Sequence, residues 1–323
     1  MARIMALSGV QEAASRDAAL SVLRGGGLVA IPTETVYGLA ADATNGVAVA
    51  EIYAVKGRPD FNPLIIHCSS LAMAEHYAVF CDAARGLGEA YWPGPLTLVL
   101  PLREGCGIAP LVTAGLPTVA LRVPKGGVRA IIEALDRPLA APSANLSGRL
   151  SPTTADHVAG QIGDLIPLIL DGGACAIGLE STILSLAGEK PVLLRPGGIA
   201  VDLLEATLAR PVVRAAAGAA IEAPGMMASH YAPKGMLRLD ALRLEGEDGA
   251  LNFGGSSLIA RVSLSLSERG DLHEAAANLF AALAEFDRQD VRRIAVAPIP
   301  LTGLGEAIND RLQRAAAPRE PEC

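Results

Sequence analysis

Two cations one residue apart, Lys56 and Arg58, open the stretch of this chain richest in chemistry. Pro59 follows them, then Asn62, then an apolar run that ends on His67. In extended chain, positions i and i+2 point the same way, so both cations can face one anion. Lysine supplies a point charge and arginine a planar fork, a pairing suited to a polyphosphate. Both side chains are expected to be partly exposed in a pocket. The competing reading of the same residues is a solvated basic turn.

Other polar loops sit where strands should end. Pro32-Thr33-Glu34-Thr35-Val36-Tyr37-Gly38-Leu39 follows an apolar run at 28–31, and strand ends carry ligand sites in open α/β sheets. Thr33 or Thr35 can equally well cap a helix. Ser143 and Asn145, with Ser151 close behind, offer donors to phosphate oxygens, or they satisfy one another in a turn. Gly178-Leu179-Glu180-Ser181-Thr182 leads into a strand, and Arg195 stands at a strand end before Pro196-Gly197-Gly198. His67 is either a ligand group or a core histidine. There is no G-x-x-x-x-G-K-[ST] loop, no G-x-G-x-x-G after the first strand, no G-x-S-x-G elbow and no metal-ligand spacing.

The elements that must hold these loops are short and mixed. Strands are expected at 28–31, 64–68, 96–102, 118–123, 165–170, 181–186 and 192–194. Helices are expected at about 11–24, 46–55, 70–91, 127–136, 153–162 and 201–209, the fifth starting at Thr153-Thr154. Strands and helices do not alternate strictly, so the fold class is α/β with a mixed twisted sheet. A break follows Arg210-Pro211, and residues 215–220 are nearly all alanine and glycine. Beyond it, strands at about 236–240, 257–262 and 294–297 and helices at about 272–288 and 304–316 make a second, smaller α/β unit. The division is residues 1–211, a linker at 212–235, and residues 236–323, with 315–323 frayed at the end.

Composition bounds the partners. At 323 residues, with 51% hydrophobic and only 3% aromatic residues, the cores must be built from Ala, Val, Leu and Ile. A net charge of -7 counts against a broad nucleic-acid footprint but allows a small basic pocket. The five cysteines are odd in number and none is spaced C-x-x-C, which argues against a disulfide framework or structural zinc. The longest uncharged stretch, Gly105 to Leu121, is broken by Pro110 and Pro117 and does not read as a membrane span. No secretory signal is seen at the N-terminus, so a cytoplasmic protein is expected.

Taken in order, Pro32 to Leu39, Lys56-Gly57-Arg58-Pro59, Trp92-Pro93-Gly94-Pro95-Leu96-Thr97, Arg122-Val123-Pro124, Ser143-Ala144-Asn145, Ser181-Thr182 and Arg195-Pro196-Gly197 resemble the YrdC-like family in its long form. His230-Tyr231-Ala232-Pro233 and the small domain extend the resemblance over nearly the whole chain, the latter as a Rossmann-like unit. The resemblance implies a nucleotidyltransferase that joins L-threonine, bicarbonate and ATP into threonylcarbamoyl-adenylate with loss of pyrophosphate. It implies magnesium with the ATP and no metal held by the protein. It also implies a role in modifying the tRNA adenosine next to the anticodon, with separate transferase proteins downstream and a weak tRNA contact. By the same resemblance, Lys56 and Arg58 are catalytic and bind ATP together with Asn62, Thr118, Ser143, Asn145, Ser151, Arg195 and Tyr231. Thr35, His67, Arg122 and Ser181 are the implied threonine contacts, Arg122 meeting the carboxylate, and residues 224–233 form a lid. The rival reading is an RNA-binding module of the same fold that makes no adenylate.

Overall fold

The computed structural model describes residues 1–216, 218, 220–226 and 230–318. Parts of the alanine-glycine run, of the expected lid and of the expected frayed end therefore lie outside the described residues, as does Cys323.

The strands of the first unit are β1 (Arg3–Ala6), β2 (Val29–Ile31), β3 (Gly38–Asp42), β4 (Ile65–His67), β5 (Leu96–Pro101), β6 (Thr118–Arg122), β7 (Leu139–Ala140), β8 (Leu168–Asp171), β9 (Thr182–Ser185), β10 (Val192–Arg195) and β11 (Val213–Arg214). They form one 11-stranded sheet in the order β1-β8-β2-β3-β7-β4-β6-β5-β9-β10-β11. Pairing is mixed. β4 runs parallel to β6 and β5 parallel to β9, while β5–β6, β2–β3 and β9–β10 are antiparallel. Helices α1 (Glu12–Arg24), α2 (Gly46–Lys56), α3 (Leu71–Glu75), α4 (Asp82–Tyr91), α5 (Pro110–Thr113), α6 (Val128–Leu135), α7 (Ala155–Ile162) and α8 (Val201–Leu208) accompany it. The aliphatic composition shows in the packing: the largest core cluster is mostly Ala, Val, Leu and Ile.

The second unit is a parallel sheet of β12 (Met236–Arg238), β13 (Gly249–Asn252), β14 (Val262–Ser265) and β15 (Arg293–Val296), ordered β12-β15-β13-β14. Helices α9 (Leu272–Arg288) and α10 (Leu304–Ala316) pack with it. Its core takes in Val36, Leu150 and Leu179 from the first unit and Tyr231 from the linker, which belong to the same buried cluster as Leu279, Phe280 and Ile308.

Several expected elements differ. The single helix at 70–91 is two, α3 and α4, because the chain between them pairs with strand β5. There, Val79 N donates to Pro101 O and Ala78 bridges Leu102. β3 and β13, rich in Gly and Ala, carry little strand propensity and were not expected; partners on both sides hold each of them extended. The strand expected at 257–262 lies at Val262–Ser265, and β1 and the two-residue β7 and β11 were also not foreseen. The start of α7 agrees with the capping signal, since the Thr154 hydroxyl accepts from His157 N at 3.2 Å.

Candidate active site

The carboxyl ends of β4 and β6 bring His67 and Arg122 side by side, because the two residues are register partners. The loop after β2 supplies Thr33 and Thr35, the turn after β7 supplies Ser143, the residue just before β9 is Ser181, and the last residue of β10 is Arg195. With Arg58, Glu180, Pro224, Gly225, His230 and Tyr231 they line one cleft that encloses about 50 Å³.

The local geometry of the K-x-R segment differs from the extended chain expected. Asn45 caps α2 by accepting from Val47 N and Ala48 N, and the helix runs on to Lys56. Gly57 then turns the chain with φ 58°, a left-handed value that favours glycine. Lys56 therefore points inward instead of alongside Arg58. It is only 2% exposed, against the expected partial exposure. Its Nζ donates to Ser143 O and Asn145 O, each at 2.5 Å, and lies 3.4 Å from Asn145 Oδ1. Asn145 Nδ2 in turn donates to Leu146 O and Arg149 O. Arg58 is half-buried and grips its own loop: Nε donates to Asn62 O, and one terminal nitrogen donates to Asn62 Oδ1 at 2.7 Å and Pro63 O at 2.8 Å.

Of the residues singled out from sequence, Thr35, Arg58, His67, Arg122, Ser143, Ser181, Arg195 and Tyr231 reach the cavity wall. Lys56, Asn62, Asn145 and Ser151 stand one layer behind, bonded to wall residues or to their turns. Thr118 is not in the wall; it starts β6, opposite Pro101, at the other end of the strand from Arg122.

On the threonine side of the expected partition, Arg122 donates to the Thr35 hydroxyl at 2.8 Å, and that hydroxyl meets Thr33 Oγ1 at 2.9 Å. Arg122 also lies 2.7 Å from Glu34 Oε2, a charge contact too poorly aligned to count as a hydrogen bond. Both groups thus keep bonding capacity in reserve. His67 is 3% exposed and its Nδ1 has no partner. Burial, helped by the Arg122 charge, lowers its pKa to about 3, so the imidazole is neutral at pH 7. Ser181 Oγ is 2.7 Å from Thr97 Oγ1 and 3.3 Å from an Arg195 terminal nitrogen.

The wall is electropositive. Arg58, Arg122 and Arg195 converge on it, with Lys56 just beneath, while Glu180 is the carboxylate in the lining. Burial lowers the Lys56, Arg58 and Arg195 pKa values, Lys56 well below its usual range and Arg58 to about 10. Buried cations of this kind gain when an anion arrives. Glu180 is neutralised locally. Burial alone would raise its pKa, but Arg311, Arg195 and the Ser151 hydroxyl outweigh that and hold it at about 2.

Sequence reasoning missed Glu180 as a wall residue, and it missed Arg311. Ser151 donates to Glu180 Oε1 at 2.5 Å, and Arg311 Nε donates to Oε2 at 2.8 Å. A signal for Arg311 was present. Leu304, Ala307, Ile308, Leu312 and Ala315 trace the apolar stripe of α10, and position 311 falls on that stripe.

A family model described as "Telomere recombination", covering Sua5, YciO and YrdC, matches residues 21–197. A second, "Threonylcarbamoyl-AMP synthase, C-terminal domain", matches residues 199–317. The threonylcarbamoyl-AMP synthase of Bacillus subtilis is 41% identical over 321 residues, covering 93% of this chain and 92% of its own length. That of Pyrococcus abyssi is 40% identical, covering 93% and 94%. The crystal structure of P. abyssi Sua5 complexed with L-threonine superposes with a TM-score of 0.90 at 37% identity, covering 97% of each chain. With a relative this similar over nearly its full length, and with both domains matched in order, the chain belongs to the threonylcarbamoyl-AMP synthase family in its two-domain form.

Proposed function

We infer that this chain is an L-threonylcarbamoyladenylate synthase, forming threonylcarbamoyl-AMP and pyrophosphate from L-threonine, bicarbonate and ATP. The product serves threonylcarbamoyl modification of the tRNA adenosine next to the anticodon. The observation that carries the reading is the convergence of Arg58, Arg122 and Arg195 on one cavity that also holds a neutral histidine and a row of hydroxyls.

The chemistry asks for positioning more than for a covalent partner. The threonine amine and bicarbonate give a carbamate, with loss of water. A carbamate oxygen attacks the α-phosphorus of ATP, and the bond to the β-phosphate oxygen breaks to release pyrophosphate. Charge stabilisation and alignment supply most of the rate. Arg58 and Arg195 meet phosphate oxygens, and Ser143 adds a hydroxyl. Lys56 contributes its charge from beneath and fixes the Ser143–Asn145 turn, as Asn62 fixes Arg58 and Ser151 fixes Glu180. Thr118 is assigned to ATP only by family resemblance. Arg122 pairs with the threonine carboxylate, while Thr35, Ser181 and the neutral His67 orient the amino acid. Among the described residues no cluster of His, Cys, Asp or Glu is placed to hold a metal. The wall carboxylate, Glu180, is already engaged. Magnesium, in this proposal, would arrive with ATP and would offset phosphate charge.

Pro224, Gly225, His230 and Tyr231 close one side of the cavity, and Arg195 donates to Pro224 O at 3.3 Å. Residues 224–233 serve as a lid that keeps water from the adenylate. None of the described helices is long and apolar enough to cross a membrane. A cytoplasmic location, a hand-over to tRNA threonylcarbamoyl transferase proteins and a weak tRNA contact complete the proposal. Pyrophosphate release is measured with ATP, bicarbonate and threonine, leaving out each in turn. Release must need all three; release that ignores threonine refutes the assignment.

A further inference from the structure

Arg311 lies on α10 of the second unit, yet its side chain is wholly buried against the first. Its guanidinium donates to Glu180 Oε2 at 2.8 Å and to Pro196 O at 2.9 Å, and pairs with Asp310 Oδ2 at 2.5 Å. Its Cζ sits 5.0 Å from the centroid of the Tyr231 ring. One side chain thus touches the residue before Ser181, the residue after Arg195, and the linker tyrosine in the cavity wall. A buried guanidinium loses much hydration, so its contribution lies in geometry more than in stability. A planar fork can hold a carboxylate, a carbonyl and a ring face at once, which an ammonium cannot.

The neighbouring chain points the same way. Leu179 is fully buried in the core of the second unit, among Leu279, Phe280 and Ile308. Gly178, at φ 72°, is so close to α9 that a Cβ there would lie 2.5 Å from Ala277 Cα. A Cβ on Gly197 would lie 2.4 Å from Glu180 O, and Gly198 N donates to that same oxygen at 3.0 Å, so the turn after Arg195 also presses on this segment. Residues 178–180 are clamped between the second unit and the 196–198 turn, one residue from the Ser181 hydroxyl.

We propose that Arg311 is a positioning residue for adenylate synthesis: from the second unit it fixes Glu180, Pro196 and Tyr231, and so sets the placement of Ser181 and Arg195 in the cavity wall. This gives the second unit a specific task, that of backing the wall that faces substrate. It rests on the synthase reading, and the test keeps the two separable.

The full chain is compared with Arg311→Met, Arg311→Lys and Glu180→Gln by threonine-dependent pyrophosphate release and by amide hydrogen exchange. Arg311→Met is expected to lower kcat/KM for threonine about 10- to 100-fold. Exchange should quicken in the peptide spanning 176–183, with α9 and β13 unchanged. Arg311→Lys should recover part of the loss, since an ammonium still meets Glu180. Glu180→Gln, which leaves α10 untouched, should quicken the same peptide. The proposal is overturned if exchange at 176–183 is unaltered in all three variants. It is equally overturned if exchange quickens throughout the chain, or if activity stays within twofold while 176–183 responds. If the unaltered chain shows no threonine-dependent release, the synthase reading fails on its own, and the exchange pattern still decides whether Arg311 fixes the 178–181 segment.

Discussion

Lys56 Nζ donates to the carbonyl of Asn145 at 2.5 Å, which ties the K-x-R segment to the S-x-N turn through a cation that is almost fully buried. The two motifs are parts of one scaffold. The lysine satisfies the Ser143 and Asn145 carbonyls, and removing it leaves both without that donor. Lys56→Met should therefore cost about 2–4 kcal/mol of stability as well as activity. Urea unfolding checks this. An unmoved midpoint would mean that the lysine acts on substrate alone.

Arg58 works through its fork. It holds Asn62 and Pro63 while facing the cavity, and a lysine cannot make those contacts together. Arg58→Lys should raise KM for ATP at least about tenfold, or about 1.4 kcal/mol, with little change in KM for threonine. Pyrophosphate release titrated with each substrate separates the two. Equal effects on both would contradict the partition of the site.

Gly225 is a point where the linker tolerates no side chain. Its φ is 85°, and a Cβ there would lie 2.6 Å from Arg195 Cδ and 3.0 Å from the Tyr231 hydroxyl. Gly225→Ala should lift the lid from Arg195 at a cost of about 1–3 kcal/mol to the closed arrangement. More of the ATP consumed should then end as free AMP and less as threonylcarbamoyl-AMP. Chromatography of the products gives the ratio, and an unchanged ratio would remove the water-excluding role from this segment.

His67 makes stability depend on pH. Its pKa falls from an ordinary 6.5 to about 3 in the folded chain. Above 6.5 both states hold a neutral ring. Below it the unfolded chain takes up a proton that the folded chain refuses, so stability declines as pH falls toward 3. Well below 6.5 the slope from this one group is roughly 1.4 kcal/mol per pH unit. His230, lowered to about 3 by burial, adds a slope of the same sign. His67→Asn should flatten the dependence between pH 6 and pH 4 by one proton's worth. Unfolding free energies that fall as steeply as in the unaltered chain would show that the ring is already charged.

Much of the site was legible because its residues sit in loops beside strands or at the last position of a strand, where hydroxyls and cations have no packing role to explain them. Thr35, Arg122, Ser143, Ser181 and Arg195 are of this kind, and each reaches the wall. Layers were not legible. Lys56 and Arg58 look alike in sequence, yet a left-handed Gly57 sends one inward and leaves the other facing the cavity. Strands β3 and β13 escaped because Gly and Ala carry almost no strand preference; their extended form comes in part from β7 and β15, far away in the chain. Arg311 was hidden by its charge, since an arginine on an amphipathic helix is usually assigned to the wet face.

The burial of Leu179 in the second unit's core changes how the chain must melt. That core cannot come apart without exposing the approach to β9, and the large sheet cannot release β9 without pulling Leu179 from the cluster it shares with Leu279, Phe280 and Ile308. The two sheets share a hydrophobic plug, so they should lose their structure in one cooperative transition, and a thermal scan should show a single heat-absorption peak.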